Sequence, residues 1–457
     1  MQQYTTQMID FLKHKRDILA NHTLVLIAFF LPIGGRSIDT LYYFLLILYI
    51  LKKDRPNPFL LIKNNPVILS ITLYVGMYYI WILFSNDYSS SFKYATKASF
   101  LLYIIVIVSF LKHEFIPRIL ASFILGVLVS EVISYSLAFG FIEAPFFESQ
   151  LLASIKNPSP FMYHIHYSFV LAFTAYLLLE RIKLNDSIYP RLFAAFFFLT
   201  ITINLTLNIG RTGYILYILG VLLFIFLNYK KQSYKIIPIV ILLLFFVFFA
   251  AYKFSPTYQT RVDLTKNSVQ KMFFEDQYNT SIGIRIEKNS LINELTVTEL
   301  FFGHGTGEHL KAAYQMAKEK KMWFASAIKN HPNLDSEYLD TIMQFGFFGL
   351  LILLNIFYQT MKYKQTDMYL KRIQITFILF YILFSFANVG IIHHKLSNIF
   401  LFFIAITLTQ VQSDEKTLDS ISYKEFSIYC FFALLLYLRS SFHFGAPIKK
   451  VIQTVFN

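Results

Sequence analysis

Residues 192–228 read LFAAFFFLTITINLTLNIGRTGYILYILGVLLFIFLN, and a single charge, Arg211, interrupts them. Residues 192–210 and 212–229 carry no ionisable side chain apart from the tyrosines. Each flank is long enough to cross a bilayer, which takes about 20 apolar residues as a helix. The reading that follows is two membrane helices with an arginine between them. A charge at a helix centre costs roughly 2.5–3.5 kcal/mol on insertion scales, so a retained one has work to do. Guanidinium is permanently charged and grips phosphate oxygens two at a time, which makes a phosphorylated membrane substrate the candidate partner. The competing reading is an interfacial anchor.

The pattern extends along the chain. Its 457 residues are 56% hydrophobic and 15% charged, against about 25% charged in soluble domains. Apolar stretches fall near 18–34, 37–51, 66–84, 97–111, 118–142, 163–180, 190–207, 212–228, 236–253, 338–359, 373–391 and 396–411, with a weaker one at 424–438. The predicted fold is all-α: a polytopic membrane protein of about 12 transmembrane helices with one large, partly helical external loop. The organisation expected is nine helices over 1–253, the loop over 254–337, three helices over 338–411 and a tail, 412–457, holding a possible extra helix. The single Cys430 excludes an internal disulfide and zinc sites built on cysteine pairs. Residues 1–19 are polar and basic with no small-residue cleavage motif after the first apolar run, so a retained span is expected there rather than a cleaved signal.

The net charge of +14 is spread in short runs between apolar stretches. That suits an anionic membrane surface and not a nucleic acid. The runs alternate. Lys13, Lys15 and Arg16, then Lys52, Lys53, Arg55 and Lys63, then Lys112 and Arg118, Arg181, Lys183 and Arg191, Lys230, Lys231 and Lys235, and Lys362, Lys364, Lys371 and Arg372 fall at the N-terminus and the even-numbered connections. Positive connections stay in the cytoplasm. The N-terminus is therefore expected inside, and the segment 254–337 and Arg211 outside.

Three groups on that outer side are candidates for chemistry. The first is cationic: Arg211, Arg285 in SIGIRI, and Lys395 before the last span. Arg285 near the start of a loop helix suits an anion beside free backbone N–H groups, or is neutralised by Glu287 or Glu294. Lys395 fits a snorkelling anchor as well as a ligand. The second is NHPNLDSEYLDTIMQFGFFG, 330–349, where His331, Asp335, Glu337 and Asp340 crowd the entrance to a span. Asp335–Glu337 also reads as a helix N-terminus, and Gly346 and Gly349 as close-packing positions. The third is His164 and His166 in FMYHIHYS, spaced for contact with a sugar or phosphate rather than for a metal on a helix. The glycines of FGHGTG, 302–307, lack the Lys-Ser/Thr ending of a phosphate loop and read as a turn between helices. No metal site is expected.

Together these motifs resemble the O-antigen ligase and polymerase superfamily: about twelve spans with a late external loop, the arginine of NIGRTGYILYILG, the arginine of SIGIRI, and the loop-closing NLDSEYLDTIMQFGFFG. The resemblance covers roughly residues 160–410. It implies transfer of a glycan from an undecaprenyl-diphosphate carrier to an acceptor hydroxyl on the periplasmic face of a bacterial inner membrane. A ligase uses a lipid A–core sugar, a polymerase another carrier-linked glycan, and a related enzyme a protein hydroxyl. It implies Arg211, Arg285 and Lys395 on the diphosphate, with His164 and His166 as further substrate contacts, and neither cofactor nor metal. Ligases of the family place a histidine where this chain has Asp335; that leaves Asp335, His331 and Glu337 as candidates for the group acting on the acceptor. A transporter is the reading from another class. Such proteins show repeats and ionisable groups at mid-membrane depth, whereas here the polar groups gather at one face.

Overall fold

The computed structural model describes residues 2–34, 36–52, 55–142, 154–155, 157–325 and 333–410, with the backbone alone for 2–14, Arg36 and His394. His331, Cys430 and the stretch 424–438 lie outside the described residues. The helices are α1 (Gln2–Phe30), α2 (Arg36–Ile50), α3 (Pro58–Asn64), α4 (Pro66–Ile80), α5 (Tyr88–Ser99), α6 (Tyr103–Val108), α7 (Ile116–Ala138), α8 (His164–Leu184) and α9 (Ile188–Leu207). They continue with α10 (Arg211–Tyr229), α11 (Ser233–Phe254), α12 (Pro256–Phe274), α13 (Gly283–Ser290), α14 (Val297–Phe302), α15 (His309–Glu319), α16 (Glu337–Lys362), α17 (Met368–Ser385) and α18 (His394–Thr407). No strand occurs among the described residues beyond an isolated bridge between Ser154 and Asn157. Eight helical stretches are long and apolar enough to span a membrane. One of them, Arg211–Phe254, contains both α10 and α11. The shorter Ser37–Ile50 and Lys395–Thr407 are also apolar. The chain is an all-α, multi-pass membrane protein.

The chain divides into two compact units. The first comprises residues 1–56, 106–210 and 408–457. In it α7 lies against α1 so closely that a Cβ on Gly126 would stand 2.1 Å from the Phe29 carbonyl oxygen. Ser122 Oγ donates to the Val25 carbonyl at the same contact, at 2.7 Å. Small residues let membrane helices approach in this way. The end of α9 is fastened by its asparagines: Asn204 Nδ2 donates to Ser134 Oγ (3.0 Å) and Asn208 Nδ2 to Ser159 Oγ (2.8 Å). Asn208 Oδ1 then accepts from Gly210 N at 2.7 Å and turns the chain.

The second unit comprises residues 57–105 and 211–407. Asn65 caps α4 by accepting from Val67 N and Ile68 N, with Pro66 at the first helical position. On α11 the side chains of Ile239, Leu242, Phe245, Phe246 and Phe249 are exposed. An apolar surface of this kind suits acyl chains rather than water.

The polar segment between α11 and α16 folds around its own core. Leu291, Ala312, Ala313, Ala317, Phe324 and Leu334 are buried there with Leu339 and Met343 of α16. Helical periodicity in this segment is centred on 286–300 and 308–324; the first stretch is split between α13 and α14, the second holds α15, and α12 has no such signal. Ser255 caps α12 through Tyr258 N at 3.3 Å.

Candidate functional site

Arg211 stands at the first position of α10, half-buried. Its Nη1 donates to Thr265 Oγ1 of α12 at 3.0 Å, and its Nη2 donates to Ser281 Oγ just before α13. Two neutral hydroxyls therefore orient the guanidinium without cancelling its charge. Arg211 also lies within electrostatic reach of Arg285 and of Arg261. Arg261 belongs to α12, one turn before Thr265, whose hydroxyl is turned back onto the Arg261 carbonyl at 2.7 Å. Tyr214, one turn along α10, interacts electrostatically with Arg211 and Arg261 and packs edge-on against Tyr258, with ring centroids 5.1 Å apart. Phe248 stacks on Tyr258 at 5.8 Å. Burial raises the Tyr258 hydroxyl above its ordinary pKa, so it stays a neutral donor.

No ion pair joins Arg211, Arg261 or Arg285 to a carboxylate among the described residues. Neither glutamate that could have neutralised Arg285 forms an ion pair with it. Glu287 accepts instead from the backbone N–H groups of Trp323 (2.8 Å) and Phe324 (3.0 Å). Glu294 pairs with Lys320 at 2.6 Å. Arg211 therefore feels two like charges, and no ion pair to a carboxylate offsets them among the described residues. Arranged so, the cluster is chemically able to hold an anion.

Asp335 is tied to the same region. Its Oδ2 accepts from Lys288 Nζ at 2.6 Å, and the Lys288 side chain is fully buried. Lys288 is one helical turn from Arg285 on α13. Asp335 has a left-handed backbone, φ 60°, and its N–H donates to Asn333 Oδ1 at 3.1 Å. Asp335 Oδ1 has no partner among the described residues. The cap of α16 is the next residue, Ser336, whose hydroxyl accepts from Leu339 N.

Glu337 is engaged differently. Its Oε2 accepts from Gly390 N (2.7 Å) and Ile391 N (2.9 Å), which ties the start of α16 to the loop before α18. Lys395 stands half-buried in the first turn of α18. His164 and His166 belong to the first unit, where Tyr163 packs on both rings at 4.1 and 5.9 Å. Both lie in the first turn of α8, and no cluster of three or more metal-ligating side chains occurs among the described residues.

The glycine-rich turn between α14 and α15 is a latch. His304 N and Gly305 N donate to the Met343 and Gln344 carbonyls of α16, each at 3.0 Å, and Gly307 N donates to Gln344 Oε1 at 3.0 Å. Those carbonyls are free because α16 breaks at Gly346, which has φ 65°. Gly346 thus gives the close packing expected from its spacing, a Cβ there standing 2.2 Å from the Phe301 carbonyl, and it also kinks the helix, which was not expected. Near the latch, His309 is buried with its Nε2 3.8 Å from Asp340 Oδ2. Burial, with help from His304, lowers its pKa to about 3. The ring is neutral at physiological pH, so the Asp340 contact is not an ion pair.

Sequence reasoning missed Arg261 and Lys288. Tyr258, Arg261 and Thr265 share the spacing i, i+3, i+7 of one helix face, but only the fold reveals that this face meets Arg211.

The architecture defines a multi-pass helical membrane protein with a polar helical segment between α11 and α16 and an arginine cluster that forms no ion pair with a carboxylate among the described residues. Residues 195–354 match the O-antigen ligase family model, a region that takes in Arg211, Arg261, Arg285, Lys288, Asp335 and Glu337. This match supports the O-antigen ligase/polymerase superfamily, as the order of the sequence motifs indicated. No curated protein matches the chain.

Proposed function

We propose that the protein transfers a glycan from an undecaprenyl-diphosphate carrier to an acceptor hydroxyl, with the diphosphate held by Arg211 and Arg285. The observation that carries this reading is the pair of guanidinium groups within electrostatic reach of each other, with no ion pair to a carboxylate among the described residues. A diphosphate ester supplies the missing negative charge, and arginine matches phosphate geometry. The family match supports ligase- or polymerase-type chemistry in general.

In this proposal the acceptor oxygen attacks the sugar carbon attached to the diphosphate. The carbon–oxygen bond to phosphate breaks, and its electron pair passes to the phosphate oxygen under the arginines. Asp335 receives the hydroxyl hydrogen bond through Oδ1 while Lys288 holds Oδ2. That oxygen takes the hydroxyl proton as the new bond forms, and a carboxylate is a weak general base. The step therefore depends on the diphosphate as leaving group more than on proton removal. Glu337 has both Oε2 contacts committed to backbone N–H groups and is the weaker candidate for that role. Lys395 is a further candidate for the diphosphate, and His164 and His166 for other contacts to the substrates. The proposed location is the inner membrane, with the N-terminus cytoplasmic and the arginine cluster periplasmic.

A deletion strain tests the reading by gel and mass spectrometry of its envelope lipids. A ligase predicts carrier-linked polymer accumulating while the acceptor, a lipid A–core sugar, stays bare. A polymerase predicts an acceptor with a single repeat unit. Unaltered lipids and glycans would count against both.

A further inference from the structure

We infer that α14 is a membrane foot: it turns back from the polar segment into the leaflet on its own side and rests its aromatic end among acyl chains. The inference stands on the membrane-spanning helices alone and is independent of the proposed transfer reaction. α14 reads VTELFF, and its last three residues, Leu300, Phe301 and Phe302, are 37%, 43% and 50% exposed. They are continuous with the surface of α16. The Phe301 ring meets the Phe347 and Phe348 rings at 6.3 and 6.4 Å, and the Phe302 ring meets Phe348 at 5.5 Å. Phe347, Phe348, Leu351 and Leu354 are exposed in turn. On a helix that crosses a bilayer such a stripe faces lipid, and α14 extends it.

The depth of the contact puts α14 inside the leaflet. Residues 341–361 of α16 carry no charge, and about 20 such residues fill the hydrocarbon thickness. α14 meets this run at Gly346, where a Cβ would stand 2.2 Å from the Phe301 carbonyl. At 1.5 Å per residue Gly346 lies about 7 Å below the edge of the run. Interfacial helices lie at about that depth, roughly 5–10 Å below the headgroup boundary. Backbone there has no water to bind, so each polar group needs a protein partner. The turn after α14 meets this demand. Gly303 N donates to the Glu299 carbonyl at 2.7 Å, and the Phe302 carbonyl accepts from Trp81 Nε1 at 2.6 Å. Thr306 N donates to the Trp81 carbonyl at 3.3 Å, and the Thr306 carbonyl accepts from Ser85 Oγ and Ser91 Oγ at 3.0 and 2.6 Å. With the amides spent on α16, the latch supplies what an element in apolar surroundings requires. A loop in water could leave these groups to solvent.

The test is electron paramagnetic resonance on the full-length chain in proteoliposomes, with Cys430→Ser and a nitroxide on one new cysteine. The label sites are Leu300→Cys and Phe302→Cys. Leu354→Cys, exposed on α16, is the lipid reference, and Lys320→Cys, exposed beyond α15, is the water reference. Collisions with oxygen report lipid, and collisions with a water-soluble nickel chelate report solvent. Both label sites are expected to match Leu354→Cys, with oxygen collisions several-fold above nickel collisions, and Lys320→Cys to show the reverse. Leu300→Cys keeps all three ring contacts of α14 with α16, so it gives the answer if Phe302→Cys unfolds, which circular dichroism reads. Nickel collisions exceeding oxygen collisions at a label site of a folded variant would overturn the foot. A label shielded from both reagents would overturn it too, since a second copy or another protein surface would then cover α14.

Discussion

Lys288 has no exposed side-chain surface, and its ammonium meets Asp335 at 2.6 Å. Removing one member of a buried pair leaves an uncompensated charge and costs about 3–5 kcal/mol. Lys288→Met is therefore expected to lower the thermal unfolding midpoint sharply. The double variant Lys288→Met/Asp335→Leu should recover most of that loss, since replacing the whole pair by apolar groups is close to neutral. A double variant as unstable as the single one would show that the two residues do not act as a pair. Activity separates the roles: Arg211→Ala and Arg285→Ala should each cost about 10²–10³ in turnover with little change in unfolding, measured as product formed per enzyme. At this scale the sequence exposed what depends on local contrast. Arg211 stands out because its neighbours are apolar, and Arg285 because it opens a short amphipathic helix. Arg261 and Lys288 look like ordinary polar-loop residues, since their meaning comes from what α10 and residue 335 bring to them.

Gly303 and Gly346 join two elements by backbone contact. A Cβ on Gly346 would stand 2.2 Å from the Phe301 carbonyl, and one on Gly303 2.3 Å from the Gln344 carbonyl oxygen. Both have positive φ, 65° and 69°. Gly346→Ala meets strain and overlap together, and strain alone costs about 1–3 kcal/mol. The expected outcome is an unfolding midpoint several degrees lower, read by fluorescence in detergent; no change would mean the kink relaxes freely. The turn 302–307 joins α14 to α15, as its lack of a Lys-Ser/Thr ending indicated, and the amides of His304, Gly305 and Gly307 are spent on α16, which no local pattern announces. The two glycines of FGFFG suggest close packing, and Gly346 does meet Phe301 closely, but it also breaks the helix. In each case the deciding partner lies some forty residues away in the chain, beyond the reach of periodicity.

Across the whole molecule, the apolar stretches located the helices well, because span length and hydropathy are local properties. Their grouping into two units, and the packing of α12 on α10, are tertiary and left no trace in composition. The alternation of basic connections predicts sidedness. With Cys430 replaced, a cysteine at exposed Lys320 should react with an impermeant maleimide in intact cells, and one at Lys231 only after permeabilisation; the reverse pattern would invert the proposed topology. Stability should also depend on pH through His309. Its folded pKa of about 3 lies below the ordinary 6.5, so the unfolded chain takes the proton first as pH falls. This contribution is complete above about pH 6.5 and declines by roughly 1.4 kcal/mol per pH unit down to about pH 3. His309→Phe should flatten the fall in unfolding midpoint between pH 7 and 5, and an unchanged slope would assign the acid sensitivity elsewhere.

The central claim is that uncompensated arginines hold a lipid-linked diphosphate so that its glycan can be transferred. The most direct measurement is transfer in proteoliposomes from a purified polyprenyl-diphosphate-linked glycan to an acceptor glycan, comparing the wild-type chain with Arg211→Ala and Arg285→Ala. The account predicts glycan on the acceptor and release of polyprenyl diphosphate with the wild type, and loss of both with either variant while the proteins remain folded. Transfer by both variants at the wild-type rate would contradict it.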